Sequence, residues 1–562
     1  MDNPEISGSL RGNLIIMIER NMSLTGQPVS LNTTQKIGVL IGMGGLFILL
    51  LSALGITLGS NALGLTLALS AITAGVLVFT KGAYANKLPG IKNHGVWFKS
   101  SSARGVIGWM AGITLTGFYV ILYFFAESLG LEQGADGTNT GLVALFDPLS
   151  FFLKGSQASQ WFMYGTLYTV AIIAFGVKFM VKYKHNRYEQ LRTLSVMFFQ
   201  TAFAFVIPEL MARLNSDTFS LPYNDLKLMW PLNYYAFDKW RVDQFINAQN
   251  IGLAFLILGV LMIFVISPFL TYKYGKRWYC SWVCGCGGLA ETAGDPYRHL
   301  SSKKMSAWKL ERWMINAVLV FSVVMTAAVI STFLGYDDNA YWFTKNTFLT
   351  LSGAFLVVVF AAVAYWKRDQ LKSDAFKGAV VALVITIAAF VAMSFLKFHE
   401  IKINAAYFSF GLNTNSYGLD GAMRTFYGFG IGSIFSGVIG TGFYPILGNR
   451  VWCRMGCPMA GILGIQQRLF SKFRITTNGG QCISCGNCST YCEQGIDVRA
   501  YAQKGENIVR SSCVGCGVCS AVCPRGVLKL ENDSIQGRIN PKDVLLGQDV
   551  DLMNYVNSKY EA

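Results

Sequence analysis

The fold is decided by one stretch near the end of the chain, Cys482-Ile-Ser-Cys485-Gly-Asn-Cys488-Ser-Thr-Tyr-Cys492, followed after twenty residues by Cys513-Val-Gly-Cys516-Gly-Val-Cys519-Ser-Ala-Val-Cys523-Pro524. Each half carries three cysteines on one tight loop and a fourth cysteine four residues later. Three thiolates on one loop can hold three corners of a cubic cluster, so the fourth corner needs a cysteine from elsewhere. Glu493 follows the first half, at the position that Pro524 occupies after the second.

Bacterial two-cluster ferredoxins use this pattern to hold two 4Fe-4S clusters, and the fourth cysteine of each half ligates the cluster of the other half. The first cluster is therefore assigned to Cys482, Cys485, Cys488 and Cys523. The second cluster is assigned to Cys513, Cys516, Cys519 and Cys492. The alternatives are structural cysteines or zinc knuckles, but zinc sites usually pair two Cys-x-x-Cys units across a longer loop.

The composition of the whole chain indicates a membrane protein. Of its 562 residues 52% are hydrophobic and 14% are charged, and the mean hydropathy is +0.40. A soluble multidomain protein carries far more charge. The net charge of +16 comes from Lys and Arg in the loops between apolar segments, so we expect a lipid bilayer as partner and no nucleic acid. All thirteen cysteines lie in motifs after residue 279, which is typical of cofactor binding in a reducing compartment.

Ten segments are long and apolar enough to cross a bilayer as helices. They are 37–58, 62–80, 106–126, 161–181, 194–212, 249–270, 313–334, 347–365, 378–396 and 425–447. Lys and Arg are concentrated after the second, fourth, sixth and eighth segments, whereas the loop 127–160 carries only Lys154. The positive-inside rule therefore predicts an inner-membrane protein with both termini and all cysteines in the cytoplasm.

The sequence thus predicts an α-helical polytopic membrane protein with about ten transmembrane helices and a small C-terminal α+β two-cluster ferredoxin domain. We divide the chain into a cytoplasmic N-terminal segment, a five-helix membrane region of unrecognised type, a membrane core with two Cys-x-x-x-Cys motifs, the ferredoxin domain and a polar tail. Their ranges are 1–36, 37–248, 249–471, 472–532 and 533–562.

The two Cys-x-x-x-Cys motifs follow the sixth and tenth segments. They read Lys276-Arg277-Trp278-Tyr279-Cys280-Ser-Trp-Val-Cys284-Gly285-Cys286 and Asn449-Arg450-Val451-Trp452-Cys453-Arg-Met-Gly-Cys457-Pro458. On a helix, a separation of four residues places both thiols on one face, about 5–6 Å apart at Cβ. We expect both motifs at the cytoplasmic exits of membrane helices, with Cys280, Cys284, Cys453 and Cys457 forming a metal site or a pair of redox-active dithiols. The alternative is packing of small buried thiols, and Cys286 receives no role.

This order of motifs resembles the membrane polyferredoxins of the NapH and NosR type, which accompany periplasmic nitrate and nitrous oxide reductases. A related assembly factor for cytochrome oxidase has a comparable core. The resemblance covers about residues 249–530. Cys453, Cys457 and Pro458 match the second motif, but in the first motif Gly285 replaces the proline and Cys286 is added. The chain shows no serine/threonine-rich flavinylation motif of the NosR type, and the first 248 residues have no counterpart in the family.

Other candidate chemistry is sparse. The four histidines, His94, His185, His299 and His399, fall in or beside loops, so a membrane haem is not expected. Glu209, with Arg213 one turn later, is either a protonatable group beside a quinone pocket or an ion pair at the interface. No phosphate-binding glycine loop and no nucleophile–base pair is evident.

The residues favour an electron carrier over a stand-alone bond-breaking enzyme. In the first hypothesis, the protein relays electrons between a cytoplasmic or quinol donor and a membrane or extracytoplasmic respiratory acceptor, together with redox partner proteins. In the second, it is a copper- or iron-handling assembly factor for a respiratory metalloenzyme, because soft thiolates suit Cu(I). A membrane-bound redox sensor is a third class, but the sequence shows no output domain.

The topology is testable with reporter fusions. Because positive loops stay in the cytoplasm, fusions at Lys184, Lys304, Lys372 and Ala562 should all report a cytoplasmic location. Fusions at Gly137 and Asn339 should report the opposite side. An extracytoplasmic signal at Ala562 would contradict this topology and the cytoplasmic donor with it.

Overall fold

The structure is a computed structural model that describes residues 31–84, 104–215, 221, 225–336, 344–371 and 373–532. The chain is mostly helical within these ranges. Most of the predicted N-terminal segment, the tail from residue 533 and His94 lie outside the described residues.

The described residues contain nine helices that are long and apolar enough to cross a membrane. They are Thr33–Ala53, Asn61–Tyr84, Val106–Phe124, Gln160–Lys182, Arg187–Arg213, Asn250–Tyr274, Met305–Gly335, Lys345–Trp366 and Ser373–Phe395. Two of them contain a π-helical turn, at Ala202–Val206 and Met262–Ile266. These nine correspond to the first nine predicted segments.

The tenth predicted segment, 425–447, is not a single α-helix. The helix Leu419–Phe426 continues as a π-helix over Tyr427–Ile439, and a short helix follows at Tyr444–Leu447. The π-helical stretch contains four glycines, whose low helix propensity removes the preference for a regular α-helix. Wide π turns are rare and often lie near functional sites.

Shorter elements complete the fold. The remaining α-helices are Gly141–Ala144, Asp147–Leu153, Lys239–Asn247, Arg277–Cys280, Gly285–Thr292, Pro458–Phe470, Asn487–Thr490, Val498–Gln503 and Val518–Ala521. The 3-10 helices are Ala126–Leu129, Ala135–Gly137, Asp295–Leu300, Arg368–Gln370, Ala405–Tyr407 and Gly479–Gln481. Two antiparallel strand pairs are present among the described residues: Lys402–Asn404 with Ser416–Gly418, and Arg474–Thr477 with Leu528–Glu531.

The first cysteine motif folds back between the long helices. The chain turns at Gly275, whose φ of 69° favours glycine, and then forms Gly285–Thr292, which we call the first re-entrant helix. A Cβ added to Gly285 would lie 2.4 Å from Oε1 of Gln200. Gln200 is the central residue of the candidate span Arg187–Arg213. The first re-entrant helix therefore begins at the mid-length of a spanning helix.

The second cysteine motif repeats this arrangement. The chain turns at Gly448, where φ is 100°, passes through a π turn at Trp452–Gly456 and enters the helix Pro458–Phe470, the second re-entrant helix. This helix packs along Met305–Tyr336, with Gly461 beside Ile315. Its last turn reaches the ferredoxin domain, where Gln467 donates to the carbonyl of Cys513 over 2.8 Å.

The two motifs differ from expectation in depth and geometry. Cys280 ends the short helix Arg277–Cys280, while Cys284 precedes the first re-entrant helix. Cys457 likewise lies outside the π turn that contains Cys453. The prediction that each pair shares one helix is therefore wrong, because the chain must turn inside the motif to fold back. The first motif begins at the ferredoxin end of the long helices, where Trp282 donates to the hydroxyl of Tyr188, and reaches their mid-length at Gly285.

A third irregular segment, 225–238, comes from the opposite face. It follows Arg213, while the other end of that span lies at the ferredoxin domain, where Tyr188 donates to the carbonyl of Gly515 over 2.7 Å. The backbone N–H of Leu226 donates to the carbonyl of Phe203 over 3.1 Å. We call 225–238 the entering segment, since it reaches the same central level as the first re-entrant helix.

The seat of the first re-entrant helix gives a test. A Cβ added to Gly288 would lie 2.2 Å from Cγ1 of Val196, so Gly288→Ala forces the helix away from Arg187–Thr201. Overpacking of this kind costs about 1–3 kcal/mol, and we expect a lower Tm in detergent. Gly259→Ala is the control, because nothing lies within 4 Å of its added Cβ. Equal Tm values for the two variants would contradict this packing.

Candidate metal centres

The ferredoxin domain is built from two similar halves. In each half a glycine with positive φ, Gly486 at 79° and Gly517 at 89°, ends the tight loop and begins a short helix. A side chain is disfavoured in this left-handed conformation, so glycine fits there. The strands Arg474–Thr477 and Leu528–Glu531 join the two ends of the domain.

The thiols assigned to the first cluster lie together at the surface. Burial raises the pKa of Cys488 to about 12, and the neighbouring thiols Cys485, Cys523 and Cys482 add to the rise. All four line a cavity that is open to solvent, beside Ile483, which is 53% exposed. Four convergent sulfurs on tight loops suit a 4Fe-4S cluster. Ligation by these four residues remains a prediction.

The thiols assigned to the second cluster lie deeper. Burial raises the pKa of Cys519 well above its usual range, and the neighbouring thiols Cys516, Cys513 and Cys492 add to the rise. This loop faces the membrane core, because Val514 and Cys516 pack against the residues of the two Cys-x-x-x-Cys motifs. The site fits a second cluster and is shielded from solvent.

The structure brings the two Cys-x-x-x-Cys motifs together. Cys280, Cys284, Cys453 and Cys457, which we call the thiol cluster, are all at most 8% exposed and share one buried core. Cys457 interacts electrostatically with the other three. Cys286 packs against the same core as a fifth thiol.

The backbone around the thiol cluster favours negative charge. Cys284 and Cys457 are the N-cap residues of the first and second re-entrant helices, and the N–H of Ala460 donates to Sγ of Cys457 over 3.4 Å. The positive ends of two helix dipoles thus meet at the thiols. On the ferredoxin side, Arg450 donates to Sγ of Cys453 over 3.5 Å. These features offset part of the cost of burying thiolates, which are the form that binds soft metals and iron–sulfur clusters.

A buried ionic network lies between the thiol cluster, the second ferredoxin loop and the long helices. It has four basic and four acidic side chains, each at most 6% exposed: Lys182, Arg192, Arg298, Arg450, Glu189, Glu291, Asp295 and Glu493. Lys182 pairs with Asp295, and Glu291 pairs with both Arg192 and Arg450. The pairing of opposite charges allows these side chains to be buried, since an unpaired buried charge is strongly unfavourable.

Glu493 connects the ferredoxin domain to this network. Its carboxylate pairs with Arg298 over 2.6 Å and with Arg450 over 3.0 Å, and it accepts from Nδ2 of Asn449 over 3.1 Å. Burial opposes its ionisation, but Arg298 and Arg450 hold the pKa of Glu493 below its usual range. The residue that replaces proline in the cysteine pattern is therefore a docking contact.

Two carboxylates and one thiol lie close together at the edge of the network, in an arrangement that resembles a separate metal site. Glu291, Glu493 and Cys516 place ligand atoms within 4.8 Å of one another. Both carboxylates already pair with arginines, and Cys516 belongs to the thiols of the second cluster. The grouping shows how closely the ionic network approaches that cluster.

The remaining sequence candidates lie elsewhere. His185 precedes the helix Arg187–Thr201, His299 lies in the 3-10 helix Asp295–Leu300, and His399 follows Ser373–Phe395, so the described histidines do not converge. Glu209 is buried, while Arg213 donates to the carbonyl of Phe152. The ionic network was not predicted, and only the missing proline at Glu493 signalled it.

Comparisons with known proteins agree with this chemistry. Residues 474–524 match a family described as 4Fe-4S dicluster domain. Residues 256–306 and 429–476 each match a family described as 4Fe-4S binding domain, once around each Cys-x-x-x-Cys motif. The predicted iron–sulfur and electron-transport character of a membrane chain is thereby confirmed.

A curated relative points the same way over a short stretch. The chain is similar to the protein named "Putative electron transport protein YccM" of Escherichia coli (strain K12), with 38% identity over 50 residues. The match covers 9% of this chain and 14% of the relative. No solved structure matches the chain.

The docking role of Glu493 is testable by removing its charge. Glu493→Gln leaves Arg298 and Arg450 undercompensated, and loss of one partner from a buried pair costs about 3–5 kcal/mol. We expect faster amide hydrogen exchange in the loop around Val514 while iron content stays at the wild-type value. Glu506→Gln, at an exposed position of the same domain, is the control. Unchanged protection in Glu493→Gln would show that the contact does not hold the domain.

Proposed function

We propose that this protein is an integral-membrane electron carrier with three redox stations in a row. The observation that carries the proposal is the direct packing of Val514 and Cys516, from the loop of the second cluster, against the thiol cluster. The solvent-open first site is then the place where a soluble partner exchanges electrons. The second site passes electrons between the first site and the thiol cluster.

The thiol cluster is proposed to hold a third iron–sulfur centre. Four buried sulfurs from two elements match the ligand number of a 4Fe-4S cluster. The family described as 4Fe-4S binding domain matches the segment around each half of this site. Bound clusters would supply one-electron transfer, with potentials set by hydrogen bonds and solvent exposure, roughly −700 to +450 mV. The protein residues hold the centres, exclude water and fix their separation.

The ferredoxin face is proposed to be cytoplasmic. The basic residues of the loops on this face support that orientation through the positive-inside rule, in an inner membrane with both termini in the cytoplasm. The order of motifs also supports kinship with the NapH and NosR type. The partners would then be a cytoplasmic or quinol donor and a respiratory acceptor in the membrane or beyond it.

The metal content of the thiol cluster tests the proposal. Anaerobically purified protein should contain about twelve iron atoms per chain, four for each of three 4Fe-4S clusters. Replacing both Cys453 and Cys457 by serine should lower this to about eight, because serine is a far poorer ligand for soft metals. Electron transfer beyond the ferredoxin domain should stop, while both ferredoxin signals persist in the electron paramagnetic resonance spectrum.

Controls separate the alternatives. Cys286→Ser should keep about twelve iron atoms, since the other four thiols complete the coordination. Full iron and normal turnover in the double variant would reduce the thiol cluster to helix packing. Stoichiometric copper in place of the third iron–sulfur centre would instead favour the metal-handling function.

A further inference from the structure

The entering segment contributes a charged side chain to the thiol cluster from the face opposite the ferredoxin domain. Lys227 lies at its start, with a side chain that is 7% exposed. Its backbone carbonyl accepts from the hydroxyl of Tyr279 over 3.0 Å, and Met229 shares the buried core of the thiol cluster. The segment is thereby fixed against the first motif.

The ammonium group of Lys227 lies next to the first re-entrant helix. A Cβ added to Gly285 would be 3.3 Å from Nζ of Lys227, so the ammonium group lies beside the residue that separates Cys284 from Cys286. Gly285 stands where the second motif has Pro458. The missing side chain leaves the room in which the lysine approaches the thiols.

The buried position of the Lys227 ammonium group is energetically unfavourable by itself. Burying an ammonium group is unfavourable unless an opposite charge is near, and ionisable groups at membrane depth usually serve a function. Asp225 pairs with Nζ over 2.7 Å, and its own side chain is 24% exposed, so it offsets the charge of the lysine from a partly hydrated position. The thiols are the other groups beside Lys227 that become negative when they bind a metal centre.

We propose that Lys227 is a positioning residue of the third centre: its ammonium group, brought from the opposite face, offsets the negative charge of the thiolate ligands and raises the reduction potential of the centre. This inference rests on the proposed function of the thiol cluster. Arg450 donates to Cys453 from the ferredoxin side, and the two helix N-termini lie at Cys284 and Cys457, so Lys227 adds positive charge from the opposite face.

The test is a redox titration of the full-length protein, followed by electron paramagnetic resonance. Lys227→Met should make reduction of the third centre about tenfold less favourable, which is about 59 mV for a one-electron couple. Asp225→Asn removes the anion beside the lysine and should shift the potential in the opposite direction. The two ferredoxin potentials should not move in either variant, because Lys227 faces only the thiol cluster.

Two further variants complete the design. Lys227→Arg keeps the charge and should titrate near the wild type. Lys239→Met, on the helix that follows the entering segment, removes a 58% exposed lysine and should change nothing. If Lys227→Met fails to assemble the third centre, the Asp225→Asn shift decides: an upward shift supports the inference, and no shift overturns it.

Iron content and reduction potential together distinguish the role of Lys227 from the existence of the third centre. About twelve iron atoms with an unshifted potential in Lys227→Met would overturn the role of Lys227 and leave the three-station relay intact. About eight iron atoms in the wild type would overturn the third centre, and the role of Lys227 with it.

Discussion

The structure depends on the buried ionic network that joins the ferredoxin domain to the membrane core. Glu493 enters from the ferredoxin domain, while Arg298 and Arg450 come from the segments after the two re-entrant turns. Buried charges tolerate little displacement, because a partner that moves away leaves an uncompensated charge in a low dielectric. The network therefore both attaches the ferredoxin domain to the membrane core and fixes its position. It sets the distance between the second cluster site and the thiol cluster, and the proposed electron transfer between them depends on that distance.

Three irregular segments meet around the thiols: the two re-entrant helices from one face and the entering segment from the other. Irregular backbone at membrane depth is tolerated where protein buries it, and here each segment covers the polar groups of the others. Tyr279 donates to the carbonyl of Lys227, and Arg450 of the second motif donates to the carbonyl of Cys280 in the first. The arrangement packs two segments that match the same family around the thiol cluster, with a cysteine at the N-cap of a helix in each copy.

Sequence reasoning reached the parts of this protein that short-range patterns encode. Hydropathy located the nine long helices, and the four thiols assigned from their spacing to the first cluster line one cavity, while ligation by the eight ferredoxin cysteines stays a prediction. The turn of the chain inside each Cys-x-x-x-Cys motif could not be predicted, because a short re-entrant helix has no hydropathy signal of its own. The role of Lys227 could not be predicted either: in the sequence it is one basic residue in a loop, and only tertiary contacts bring it beside Gly285.

The unequal exposure of the two ferredoxin sites has a consequence for how the protein ages. Dioxygen, peroxide and chelators meet the first site directly, since its thiols line an open cavity beside Ile483. The second site is covered by the ionic network and the second re-entrant helix. Damage therefore proceeds from the outside inward, and a chain damaged at the outer site loses the proposed point of exchange with a soluble partner while its buried sites stay covered. Repair of such a chain requires insertion of a cluster at the exposed first site alone, and the ferredoxin domain can stay bound to the membrane core.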